Sequence, residues 1–313
     1  MKQLQEAQVA RPTGLTAVVT DPTQRALVTL ESNPGTVSEK IDVVIPLLHG
    51  TFGEDGTVQG LLEMAGVPYV GAGVLGSALG MDKVMMKAIF RARGLPIMDF
   101  IGVLRRRWER DPDGVIQEVE ETLGYPCFVK PANLGSSIGI TKVTRRSELG
   151  PALDLAGQYD RRLIVEDAAE NCQEIACAVL GNDEPEASVV GEMRPKREFY
   201  DYAAKYLDDQ TEEIIPADLP TEVSDEVRRL AIESFKAIDC SGMARVDFFV
   251  GKDDRRVIVN EINTIPGFTR MSMYPKLWEA SGVSYSELID RLIGLALEKY
   301  AERSQLRTTY GSQ

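Results

Sequence analysis

Histidine is almost missing from this chain. His49 is the only one in 313 residues, which excludes zinc centres built on several imidazoles and obliges any Ser-His-Asp site to use that one residue. Cysteine is scarce: Cys127, Cys172, Cys177 and Cys240 are scattered, none forms a CxxC, and the 172/177 spacing matches no zinc motif,. A chain of this size without a secretory signal is not expected to rely on disulfides, and Cys127 and Cys177, set in apolar strand-like runs, read as core thiols. No apolar run approaches the ~20 residues that span a bilayer. The opening MKQLQEAQVARPTG has no signal-peptide core, so a cytoplasmic location is expected. Positive charge is in deficit too. At a net charge of −13 the surface repels nucleic acid and anionic lipid, neither of which is an expected partner, and an anionic substrate must be held by local cations. Repeats, low-complexity blocks and a GxxxxGK[ST] phosphate loop are all absent,.

What is present is ordinary for a globular protein: 43% hydrophobic and 27% charged residues, with length for two or three domains. IDVVIPLLHG (41–50) reads as a buried strand ending at glycine, followed by the loop GEDGT and a short helix, VQGLLEMAG, stopped by Gly66 and Pro68,. Asp82 is placed to cap a helix over KVMMKAIFRAR (83–93), closed by Gly94 and Pro96,. Strands are predicted at YPCFVKP (125–131), ITKV (140–143), RLIVED (162–167) and EIACAVLG (174–181),. Helices are predicted from Ser147, from Ser224 with Val227, Leu230, Ala231 and Ile238 inward, and from the Ser284/Glu287 capping box to about residue 303,. FYDYAAKY (199–206) has no steady period and reads as a loop. This mixture predicts α/β and α+β domains.

Two features carry chemistry. ARVDFFV and VIVNEIN, joined through GKDDRR, read as a hairpin whose turn lies near Asp254. Alternation then puts Arg245, Asp247 and Phe249 on one face, Val259, Glu261 and Asn263 on another, and Asp247 opposite Glu261. Like charges so placed destabilise a sheet, and flanking Val246, Phe248, Ile258 and Ile262 keep water away, so the pair must share a proton or a cation. With Asn263 as a third oxygen, the set suits Mg²⁺. The alternative is that Asp247 pairs with Arg245 or Arg256 and Glu261 faces solvent. The second feature is KPANLGSSIG (130–139) between two strands, where Gly135, Ser136 and Ser137 could turn N–H and hydroxyl groups onto phosphate, or simply form a hairpin turn. Lys130 ends the strand before it. Lys83 opens a helix, against the macrodipole, which hints at an anionic ligand. Each lysine taken alone also reads as a solvated surface charge. Together the parts match phosphoryl transfer.

The stretches LLHGTFGEDGTVQGLLE, GSALGMDK, FVKPANLGSSIGITKV, EIACAVLGN, REFYDYAAKY, CSGMARVDFF and VNEINTIPGFTRMSMYPKL resemble, in order from about residue 41, the ATP-grasp superfamily and within it the D-alanine–D-alanine ligases. The resemblance implies an ATP-grasp fold with a truncated N-terminal Rossmann-like domain, divided at 1–78, 79–165 and 166–313. It implies ligation of two D-alanines with ATP through a D-alanyl phosphate, for peptidoglycan precursors, in a homodimer. Asp247, Glu261 and Asn263 would hold two Mg²⁺ (or Mn²⁺), Lys83 and Lys130 the α/β-phosphates with Ser137 beside them, and Lys205 the γ-phosphate. Glu166 and Glu174 would hold the adenine amino group and the ribose. Arg245 and the Gly267 amide would stabilise the oxyanion, Ser272 and Met273 would take the second substrate's carboxylate, and His49 would sit near the first D-alanine. Ser136 and Tyr206 would meet as the 199–210 loop closes.

Departures accompany the resemblance. Family members usually begin with a strand and a GGxSxEHxVS motif, which this chain lacks. Impaired binding of the first substrate, or a non-catalytic nucleotide-binding remnant, is therefore the rival expectation, beside a ligase using a different acceptor. Ala203 replaces a common acidic residue, and QEI at 173–175 a more usual arginine-containing version. The FYDYAAKY match favours D-alanine over D-lactate as second substrate.

Overall fold

The computed structural model describes residues 16–18, 26–29, 36–135, 138–195 and 211–307. Three sheets organise them. The first is an antiparallel meander of β1 (Thr16–Val18), β2 (Ala26–Thr29) and β3 (Thr36–Lys40). After it, residues 41–49 do not form the expected strand. Among the described residues, Val44 alone pairs, in a parallel bridge to Tyr69 held by Val44 N–H to Pro68 O at 2.9 Å and Val70 N–H to Val44 O at 2.9 Å. Apolar character does not make a strand where no continuous ladder of partners is present, and Leu47 and Leu48 are left exposed,. Helices α1 (Thr57–Met64), α2 (Val74–Met81) and α3 (Lys83–Ala92) follow.

The second sheet has the order β4 (Phe100–Leu104), β7 (Arg162–Asp167), β5 (Cys127–Pro131), β6 (Thr141–Val143), all antiparallel. Helices α4 (Arg105–Arg110), α5 (Pro112–Thr122) and α6 (Arg146–Ala156) accompany it, closing a core that includes Val103, Val119, Cys127, Leu149, Leu153 and Leu163. The helix expected to start at Ser147 starts at Arg146.

The third sheet runs β10 (Thr211–Ile214), β9 (Glu186–Pro195), β8 (Cys172–Gly181), β11 (Gly242–Gly251), β12 (Val257–Asn263). Its central strands are covered on both faces, which is why EIACAVLG reads as unbroken apolar sequence. Ile175, Cys177 and Val179 join the core under α7 (Thr221–Ala237), whereas Ala176, Ala178 and Leu180 join the core under α8 (Met273–Ala280) and α9 (Tyr285–Ser304). Helix α7 begins after Pro220, three residues before the expected cap Ser224, although Val227, Leu230, Ala231 and Ile238 are buried as expected. The Ser284 cap is present, its hydroxyl accepting from Glu287 N–H. Burial pushes the Cys127 thiol up to about 11 and the Cys177 thiol up to about 12, in keeping with inert core positions,.

The second and third sheets change over between Asp167 and Cys172, so the expected borders at 78/79 and 165/166 fall inside α2 and β7. Helix α3 ties the sheets together. Its cap, Asp82, accepts from the N–H groups of Val84 and Met85 and from Arg162 Nη1 at 2.8 Å, while Met86 and Phe90 are buried in the core under α7. A second tie runs from Pro96 O to Val259 N–H at 2.8 Å. Asp82→Ala removes both the cap and the Arg162 pairing. It is expected to destabilise the protein by about 1–2 kcal/mol, read as a lower denaturation midpoint with unchanged slope; an unchanged midpoint would show that α3 is held by its apolar face alone.

Candidate active site

The carboxylate hairpin forms. Asp247 lies opposite Glu261 and Arg245 opposite Asn263 on the β11–β12 ladder. The register, however, is not uniform. From the turn, Val250 pairs with Val257 and Phe248 with Val259; the next pair is Asp247 with Glu261, so Asn260 is an extra residue in a bulge,. Without it Asn260 would face Asp247, and Glu261 would point into the core under α7. The bulge also corrects one expectation: Val259 lies in that core rather than on the face of Glu261.

Around this rung the charges are crowded. Asp247 is 7% exposed. Arg245 Nε and Nη2 donate to its two oxygens, each at 2.7 Å, and Asn263 Nδ2 donates to Oδ2 at 3.0 Å. The Arg245 pairing weighed against the metal is thus made. Burial by itself would lower the Arg245 guanidinium, but Asp247, Glu261 and Glu54 hold it well above its ordinary value. One guanidinium thus faces three carboxylates. Among the described residues no three His, Cys, Asp or Glu side chains gather as a self-sufficient metal centre. The set still fits Mg²⁺, which takes one or two carboxylates and completes its shell with water and phosphate oxygens. The carboxylate excess around Arg245 is the charge such an ion would neutralise.

The opposite wall is cationic. Lys83 Nζ donates to Leu134 O at 2.7 Å and its backbone N–H to Ala132 O, which anchors the start of α3 to the glycine-rich segment. Lys130 Nζ donates to Glu166 Oε2 at 2.6 Å, and Lys87 Nζ stands 3.5 Å from Glu166 Oε1. Burial alone would raise Glu166, but the ammonium groups of Lys130 and Lys87 outweigh it and hold its carboxyl down at about 2,. Burial would lower Lys130, yet Glu166 pulls it above its ordinary value with a contribution from Glu261, so the two walls feel each other's charge.

Glu174 lies opposite Phe249 on the face that carries Asp247, at the exposed start of β8. His49 is exposed at a turn and its Nδ1 lies 3.1 Å from Ile265 O. Gly267 packs against Ser272, whose Oγ would lie 3.0 Å from a Cβ added there; that hydroxyl accepts from Thr269 N–H. The Met273 side chain belongs to the core under α8 and α9, so only its backbone is free to meet a ligand. Ser136, Ser137, Lys205 and Tyr206 lie outside the described residues.

Two residues were not anticipated. Glu54, in the GEDGT loop, accepts from Gly50 N–H at 2.6 Å, and burial raises its carboxyl, with Glu261 adding to the rise. Lys87 is 1% exposed. Its place one turn beyond Lys83 was the available signal.

Two antiparallel sheets that oppose lysines to carboxylates across one cleft define an ATP-grasp architecture. Family models agree: one described as the D-ala D-ala ligase C-terminus matches residues 89–294, and one described as the D-ala D-ala ligase N-terminus matches residues 2–72, further than the motif likeness from residue 41. The chain belongs to the D-alanine–D-alanine ligase family. It is similar to the D-alanine–D-alanine ligase of Thermoanaerobacter sp. (57% identical over 264 residues, 84% of this chain and 73% of the relative). The ligase of Acetivibrio thermocellus is 55% identical over 263 residues, 84% of this chain and 70% of the relative. Among solved structures, the D-alanine–D-alanine ligase of Coxiella burnetii superposes with a TM-score of 0.80 at 39% identity, covering 93% of this chain and 76% of that one. The VanG D-Ala:D-Ser ligase of Enterococcus faecalis superposes with a TM-score of 0.81 at 36% identity, covering 90% and 79%.

Two outcomes test this geometry. Deleting Asn260 closes the bulge into a regular ladder that still sets Glu261 opposite Asp247, so the deletion and Asn260→Ala are both expected to keep turnover within about tenfold of wild type. A loss of about a hundredfold or more in the deletion alone would show that the bulge itself positions Glu261. For Glu166, the lowered value means that its ion pairing stabilises the fold above pH 4.5, its ordinary value, and that this stability is lost as pH falls toward 2,. The stability gap between wild type and Glu166→Gln is expected to narrow over that window in denaturant titrations; a gap independent of pH would contradict the pairing.

Proposed function

We propose that this chain joins two molecules of D-alanine into D-alanyl-D-alanine with ATP, releasing ADP and phosphate, for peptidoglycan precursors. The observation that carries this reading is that the Lys130–Glu166 pair on one sheet and the Asp247–Glu261 rung on the other stand close enough for Glu261 to raise Lys130, in a chain at least 54% identical to several curated ligases over most of its length.

The reaction has two steps. The carboxylate oxygen of the first D-alanine attacks the γ-phosphorus, forming an acyl phosphate and releasing ADP. The amine of the second D-alanine then attacks the acyl carbon, and phosphate leaves as the amine gives up its proton. Lys83 and Lys130 are assigned to the α/β-phosphates, as cations that draw charge from the leaving group, with Ser137 beside them and Lys205 at the γ-phosphate. Glu166 and Glu174 are assigned to the adenine amino group and ribose. Asp247, Glu261 and Asn263 would hold two Mg²⁺ ions, which supply charge neutralisation at the transferring phosphoryl group. Arg245 is already largely covered and fixed by Asp247, so with the Gly267 amide it offers preorganised donors to the tetrahedral oxyanion,. Ser272 and the backbone of Met273 receive the second carboxylate, and His49 neighbours the first substrate. Ser136 and Tyr206 are assigned to closing the site, which keeps water from the acyl phosphate. We assign the acceptor as D-alanine on the FYDYAAKY match, the location as the cytoplasm and the working unit as a homodimer.

The test is phosphate release from ATP with Mg²⁺ and D-alanine, run beside D-serine and D-lactate as second substrates. D-alanine alone is expected to support rapid release and a D-alanyl-D-alanine product; ATP binding with no release on adding D-alanine would mark a nucleotide-binding remnant instead. Glu261→Gln is expected to lose about a hundredfold or more in turnover with its circular dichroism unchanged, and undiminished turnover at low Mg²⁺ would remove Glu261 from the metal site.

A further inference from the structure

Helix α3 presents two lysines one turn apart, and the proposed reaction employs the first. Lys87 is the more unusual. Its side chain is 1% exposed. Its Nζ makes no hydrogen bond among the described residues, and the carboxylate it approaches is Glu166, at 3.5 Å from Oε1. An ammonium carries three donors, and burying one with those donors unused is unfavourable. A helix surface would tolerate methionine or leucine at this position without that penalty.

The geometry around Glu166 supplies a reason for the lysine. Glu166 is 4% exposed and its Oε2 accepts from Lys130 Nζ at 2.6 Å. Lys130 is also the cation that must meet the nucleotide, and an ammonium drawn that tightly onto a carboxylate is not free to serve a phosphate. If Lys130 were the sole counter-charge, its departure would strand a buried carboxylate, and that loss would oppose nucleotide binding. Lys87 stands at the other oxygen, further away, with donors to spare. It can close on Glu166 as Lys130 leaves.

We propose that Lys87 is a positioning residue that acts through Glu166: a reserve counter-charge that keeps this carboxylate compensated and in place while Lys130 transfers to the nucleotide. Lys87 does not touch substrate. Its contribution is to make the exchange of partners by Lys130 nearly neutral, and hence it belongs to nucleotide affinity rather than to the chemical steps. The inference rests on the reading of this cleft as the nucleotide site.

Steady-state kinetics of the full chain test it, with Mg²⁺ and D-alanine saturating and ATP varied. Lys87→Met keeps the volume and removes the charge. It is expected to raise KM for ATP by about tenfold or more, with kcat changed by less than about threefold. In the double variant Lys87→Met/Glu166→Gln the loss is expected to be no greater than in Glu166→Gln alone, because a neutral partner needs no reserve cation. An unchanged KM, a loss confined to kcat, or losses that multiply in the double variant overturn the proposal. Lys130→Met separates the two readings. If it leaves KM for ATP unchanged, the nucleotide assignment itself fails; if it raises KM while Lys87→Met does not, only the role of Lys87 fails. Melting curves are recorded for each variant, and Lys87→Gln serves if Lys87→Met does not fold. Should neither fold, Lys87 is a stability residue and the proposal falls.

Discussion

Charge taken out of water governs this structure. Glu166 and Lys87 are almost fully buried, Asp247 nearly so, and Arg245 and Lys130 are largely covered. None of these charges is tolerable alone, since an isolated ion in a low-dielectric interior carries a large desolvation penalty. Each is therefore placed against an opposite charge, and those oppositions set where the elements must lie. Glu166 on β7 requires Lys130 on β5 and Lys87 on α3. Asp82, at the start of that helix, requires Arg162 at the start of β7. The cationic wall is thereby fastened at both ends of one strand.

The same constraint explains why the two sheets form one cleft rather than two independent lobes. Helix α3 has its cap on the smaller sheet and its apolar face in the core of the larger one, and Val259 on β12 is bonded to Pro96 just beyond that helix. A helix so divided carries Lys83 and Lys87 to the junction. The carboxylates of the larger sheet then lie near enough to influence the lysines of the smaller one. Such an arrangement suits phosphoryl transfer, where most of the catalytic effect comes from holding charges in place around a polyanion.

Much of this was legible in the sequence. The strands RLIVED and EIACAVLG, the Asp82 cap and the Ser284 cap all follow from local patterns that the tertiary structure has no reason to override. The pairing of Asp247 with Glu261 was also anticipated, though by an argument that was incomplete. A plain hairpin with the observed turn would have paired Asp247 with Asn260; the bulge supplies the missing residue. The strand expected over 41–50 does not form for the opposite reason: its residues favour a strand, but strand formation depends on a neighbour that the segment itself does not specify,. Glu54 and Lys87 were overlooked because a glutamate in a polar loop and a lysine in a helix resemble solvated surface until their burial is known.

By itself the sequence determined the class of chemistry: lysines beside a glycine-rich segment, paired carboxylates on a hairpin, and motifs shared with the ligase family. It did so because residue type and alternation along a chain are local properties. Only the tertiary structure decided which carboxylate meets which cation, that Arg245 rather than Arg256 pairs with Asp247, and that Lys87 is buried against Glu166. Those are facts about distance and exclusion of water between segments far apart in the chain, and no local pattern encodes either.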